Sequence, residues 1–172
     1  MDIFVSLAKQ SISHFLSRHH LLQLPTDLNF ELMSRKAGVF VTLHKRSDKS
    51  LRGCIGTFAP TQDNIAQEII KNSILAAFKD PRFPPLEPEE LDDLEIHVDV
   101  LSPPEPVTNL EDLDPEKFGL IVTDQHGQAG LLLPDIGVSS VAEQIKICCE
   151  KGGISQSAGQ LKYQRFSVVR HK

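Results

Sequence analysis

Residues 39–58, VFVTLHKRSDKSLRGCIGTF, set two β-rich runs on either side of a short polar link. Val39–Lys45 and Leu51–Phe58 therefore read as the arms of a β-hairpin. Pairing Lys45 with Leu51 sets Val41 against Ile55 and Leu43 against Gly53, which builds one apolar face. Side chains alternate across a strand, so the opposite face collects Thr42, His44, Arg52 and Cys54. A slip of one residue would split the apolar set between the two faces, so the pattern specifies the register. A bulge at Gly53 or Gly56 would re-aim Cys54.

The pattern then continues outward. After Pro60, Ile65, Ile69, Ile70, Ala76 and Ala77 recur at helical spacing, which predicts a helix over residues 62–79 with Thr61 as its N-cap. DPRFPPLEP at 80–88 ends it, because a residue before proline is pushed out of helical geometry. In LEIHVDVLS, residues 94–102, Ile96, Val98 and Val100 alternate with Glu95, His97 and Asp99, the signature of a half-buried strand. The same order recurs downstream. GLIVTDQHGQAGLLL at 119–133 is a hairpin with its turn near 125–128, Ser140 to Glu143 offers a capping box, Gly152 and Gly153 stop that helix, and YQRFSVVR at 163–170 is a last strand. Two β-β-α-β units, 39–101 and 119–170, are thus expected, joined by the proline-rich segment 102–118. A helix from Asp2 to His19 precedes them, followed by a connector broken at Pro25.

A chain of 172 residues with 40% hydrophobic composition has the size and core of one domain. Its net charge of −5 argues against a DNA-binding surface. No apolar run approaches the roughly 20 residues of a membrane span, and Asp2 stands where a secretory signal carries positive charge. Cys54, Cys148 and Cys149 form neither a disulfide framework nor a zinc-ligand spacing, so the expected compartment is the reducing cytosol, with no metal and no cofactor.

Two readings of Cys54 stand. A guanidinium at Arg52 on the same strand face favours the thiolate, the attacking form of a thiol. Alternatively Cys54 is a small strand residue between glycines that admit another element closely, and the local sequence by itself leans that way. Asp80 and Arg82 sit where three prolines restrict the backbone, suited to presenting polar groups at a cleft or to pairing with each other. Glu68 and Asn72, one turn apart, read as a cleft pair or, more simply, as solvated surface. His97 and Asp99 share a strand face, half of a metal site at most. The adjacent Cys148 and Cys149 read as helix packing, with one of the two central on the buried stripe.

AGVFVTLHK, LRGCIGTF, AAFKDPRFPPL, VLSPPEPV and GLLLP, in this order, resemble the AMMECR domain family over almost the whole chain. The resemblance implies an α+β fold in which duplicated β-β-α-β units share one mixed, barrel-like sheet with flanking helices. The family signature falls on Leu51, Arg52, Gly53, Cys54, Ile55 and Gly56, and on Asp80, Pro81, Arg82 and Phe83. It implies a modification pathway shared with a Memo-like protein and a radical SAM protein. On this basis Cys54 is the candidate catalytic residue, and Arg52, Asp80, Arg82, His44 and Thr42 are candidate binding residues for a small anionic ligand or nucleotide. The competing expectation is a non-catalytic adaptor that docks a protein.

Overall fold

The computed structural model describes residues 2–155 and 159–172. Helix α1 (Ile3–Arg18) starts at Asp2, whose carboxylate accepts the Phe4 and Val5 N–H groups. A short helix α2 (Phe30–Ser34) interrupts the connector expected to be irregular. Strands β1 (Val39–Lys45) and β2 (Leu51–Thr57) form the first hairpin. Helix α3 (Ile65–Phe78) is capped by Asn64 rather than Thr61. The Thr61 N–H and hydroxyl are instead taken by the carboxylate of Glu68. Strand β3 (Leu94–Leu101) completes the unit.

Strands β5 (Gly119–Thr123) and β6 (Ala129–Leu132), helix α4 (Val141–Gly152) and strand β7 (Lys162–Phe166) repeat that order. Ser140 caps α4 through the Glu143 N–H, but the Glu143 carboxylate reaches back to Ser139, so only half of the expected capping box forms. The joining segment contributes strand β4 (Glu105–Val107). The segment 163–170 is not one strand. It breaks at Ser167 into the end of β7 and a separate strand β8 (Val168–His171).

The α+β class holds, whereas the single barrel-like sheet does not. The strands form two four-stranded sheets, ordered β2-β1-β3-β8 and β6-β5-β7-β4, with no closed barrel. The second hairpin pairs with β7, not with β3 or the first hairpin. The chain divides into two compact units, Met1–Leu101 with Val169–Lys172, and Ser102–Val168. In the first, α3 packs on β1 and β2, and α1 packs on α3 and β3. Val39, Val41, Leu43, Ile65, Ile69, Ile96 and Val98 are buried there, each worth roughly 1.5–3 kcal/mol relative to exposure. His171 stacks on Phe4 at 3.8 Å between centroids and bonds Asp2 at 2.9 Å, tying β8 to the start of α1. In the second unit, α4 packs on β5 and β6 over Leu120, Val122 and Leu132.

The duplication reaches individual residues. Leu43 pairs with Gly53 in one unit and Val122 with Gly130 in the other. Each glycine faces a helix backbone: a Cβ on Gly53 would lie 2.2 Å from the Ala76 carbonyl oxygen, and one on Gly130 would lie 1.7 Å from that of Cys148. One helical turn earlier, Asn72 donates to Val39 O at 2.9 Å, and Gln144 donates to Phe118 O at 2.9 Å. Both carboxamides leave a buried oxygen without a partner. Ala76-Ala77 and Cys148-Cys149 thus do the same job, small residues that let a helix approach its hairpin. Both cysteines are buried, not just one. Burial pushes the Cys148 thiol up to about 12 and raises Cys149 as well.

Candidate functional site

The ladder of the first hairpin follows the expected register from Val41↔Ile55 through Thr42↔Cys54 to Leu43↔Gly53. His44 then pairs with Leu51, so Arg52 is the extra residue of a bulge and Lys45 is not opposite Leu51. Arg52 is buried, and its guanidinium forms a fork with Glu90: Nε to Oε1 at 2.7 Å and Nη2 to Oε2 at 2.9 Å. Phe83 lies 5.9 Å beneath that cation. The Arg52 fork holds the Glu90 carboxyl below the usual range. Glu90 escaped notice in the sequence. Its signal was an acidic run, PEEL, just past the proline block that folds back on β2.

Asp80 and Arg82 both meet Cys54, but at its backbone. Strand β2 is a sheet edge, whose outward N–H and C=O groups lack a strand partner. The Cys54 N–H donates to Asp80 Oδ2 at 2.9 Å, and Arg82 Nη2 donates to the Cys54 carbonyl at 3.1 Å. Arg82 also forks onto Asp80 through Nε at 2.9 Å and Nη2 at 2.7 Å. Two side chains thereby stand in for a neighbouring strand and fix Cys54 in place.

The Cys54 thiol lies on the other face, 3.3 Å from Thr42 Oγ1. Thr42 is opposite His97 on β3, so Cys54, Thr42 and His97 form one row across three strands. His44 sits opposite Glu95, with its ring 5.4 Å from that of His97. Its Nδ1 is buried and unpartnered. Burial first and the neighbouring His97 second push the His44 pKa down, which favours the neutral ring. Lys49, at 2.6 Å, and His97 hold the Glu95 carboxyl down at about 2. Asp99 is spent on Arg170, at 2.8 and 3.0 Å.

Glu68 and Asn72 are not solvated surface. Both are buried. The Glu68 carboxylate accepts from the Thr57 hydroxyl, the Thr61 hydroxyl and the N–H groups of Thr61 and Gln62, which stitches the end of β2 to α3.

The Asp80 clamp has a pH signature. Arg82 is the main cause holding the Asp80 carboxyl well below its ordinary range. A depressed folded value means the contribution is fully present above the unfolded value of about 3.9 and is lost as pH falls below it. Asp80→Asn is expected to cost about 2–3 kcal/mol near neutral pH, the worth of hydrogen bonds to a charged group. The gap to the unmodified chain should close in acid. Urea midpoints for both proteins from pH 7 downward, through about 4, measure this, and a gap independent of pH would contradict it.

The family model described as AMMECR1 matches residues 5–171. A protein of Thermotoga maritima is 48% identical over 170 residues, covering 98% of this chain and 97% of its own length. A protein of Clostridium acetobutylicum is 45% identical over 174 residues, yet this chain spans only 36% of it. The crystal structure of an uncharacterised protein from Pyrococcus horikoshii superimposes with a TM-score of 0.85 at 32% identity, covering 97% of this chain and 88% of that one. With a matching fold, an LRGCIG strand clamped by DPRF, and a family match along nearly its whole length, the chain belongs to the AMMECR1 family.

Proposed function

We propose that the polar face of the first sheet is a thiol site for a small substrate, with Cys54 as the reacting or ligating group. Thr42 positions the thiol, His44 lines the same face as a neutral ring, and Arg82 supplies positive charge at the rim. The observation that supports this is the internal duplication. At the positions matching Thr42, His44 and Cys54, the second unit carries Ile121, Thr123 and Leu131, and it has no counterpart of the Arg52 bulge, because Thr123 pairs directly with Ala129. The same β-β-α-β arrangement is therefore built without the thiol, the imidazole or the arginine bulge, so packing does not require them. The much longer Clostridium relative supports a domain that works alongside further protein. On this reading the chain is a substrate-handling subunit of a modification pathway, with Memo-like and radical SAM proteins as partners.

A non-catalytic adaptor is the second reading. It is favoured by the closed pairs Arg52–Glu90 and Asp80–Arg82, since each arginine already has a carboxylate. Mass-resolved alkylation separates the two. Cys148, at about 12, holds roughly a thousandth of the thiolate of an unperturbed thiol at neutral pH, and it is also covered. Cys54 is expected to be modified fully while Cys148 and Cys149 stay protected until the fold opens. A Cys54 as slow as the buried pair would return this face to a packing role and leave the adaptor standing.

A further inference from the structure

Outside that site, two histidine rings of the first unit lie side by side. His14 is half-buried near the C-terminal end of α1, and the helix ends at His19, a residue in the left-handed conformation at φ 58° and ψ 23°. That turn folds the chain back so that His20 comes beside His14. Their rings are 4.7 Å apart between centroids, and His14 Nε2 faces His20 Nδ1 at 3.2 Å. His20 Nδ1 is also 3.1 Å from the Leu21 carbonyl oxygen.

We infer that His14 and His20 form a two-histidine binding site for a transition metal ion that prefers imidazole, such as Zn²⁺ or Ni²⁺. Metal–nitrogen bonds of about 2.0–2.1 Å in tetrahedral geometry set two ligand nitrogens roughly 3.3–3.4 Å apart, close to the spacing already present. His20 is exposed and His14 half-buried, so the rotation that converges their lone pairs falls mainly to the His20 ring. One ring must exchange the proton now shared between them for the ion, by adopting its other tautomer. The Leu21 carbonyl is a third donor. The last turn of a helix carries partial negative charge, which favours a cation there, although Arg18 in the same turn opposes it. No group of three His, Cys, Asp or Glu side chains suited to a metal occurs among the described residues. The ion therefore keeps water in its remaining positions and exchanges readily. Protons compete for the same ring nitrogens, so acidification releases it. A bound ion would clip the connector to the end of α1.

Titrating Ni²⁺ alone into the full chain by calorimetry, with thermal unfolding in parallel, tests this. One equivalent should bind and raise the unfolding temperature. His14→Gln and His20→Gln should each weaken binding by at least the roughly 10–100-fold that even a ligand's hydrogen-bonding partner is worth. His126→Gln, an exposed histidine of the second unit, should change nothing. Circular dichroism establishes that each variant is folded. Absence of saturable binding, or affinities for His14→Gln and His20→Gln that equal the parent's, would overturn the site.

Discussion

Glu90→Ala is expected to destabilise the first unit by about 3–5 kcal/mol, the cost of leaving a buried charge without its partner. The Arg52 side chain is 5% exposed, whereas that of Glu90 is 30% exposed. Removing the carboxylate strands a cation that water reaches poorly, and Arg52 Nη1 is already buried without an acceptor. Removing the cation instead, by Arg52→Met, leaves a carboxylate that can hydrate and a hydrophobic chain that fills the same space. Glu90→Ala should therefore cost clearly more than Arg52→Met. Urea unfolding read by hydrogen exchange at β2 keeps the two units apart, since a two-unit chain need not unfold in one step. Equal costs for the two variants would mean that solvent reaches Arg52 and that the pair acts as a surface bridge.

Gly53→Ala and Gly130→Ala should also be severe, and for a reason independent of charge. The clashing atoms are main-chain carbonyl oxygens of Ala76 and Cys148, at 2.2 and 1.7 Å. No rotamer change relieves such a contact, so the helix must move off its hairpin. Overpacking of a well-filled core costs about 1–3 kcal/mol and sometimes more, and Gly130→Ala should be the worse of the two. Exchange protection should fall first in α3 for Gly53→Ala and in α4 for Gly130→Ala. Protection lost equally in both helices for either variant would contradict this local origin.

The apolar alternation of β1, β2 and β3 was legible because one face of each strand must be buried, which leaves a period of two in the sequence. The cysteine pair of α4 and the glycines of both hairpins were visible too, though not their equivalence. That required seeing Gly53 under Ala76 and Gly130 under Cys148. The partners of the site were not legible. Glu90 is 38 residues from Arg52, and Asp80 is 26 from Cys54. No periodicity links residues brought together by a folded-back proline segment. Glu68 and Asn72 looked like surface because their residue types usually are, until the end of β2 and the loop after it supplied partners for Glu68, and the Val39 carbonyl of β1 one for Asn72.

By itself the sequence determined the α+β class, the repeated order of hairpin, helix and strand, the register from Val41 to Leu43, and the family. These depend on local spacing and on which residues must leave water. Tertiary structure alone decided that the strands divide between two sheets, because the break at Ser167 that sends β8 to β3 and leaves β7 beside β5 is a choice of distant partners. It also decided that the bulge falls at Arg52, and that Asp80 and Arg82 hold the backbone of Cys54 while the thiol faces Thr42. Side-chain hydrogen bonds and ion pairs between remote segments carry no periodic trace along the chain, so only their geometry reveals them.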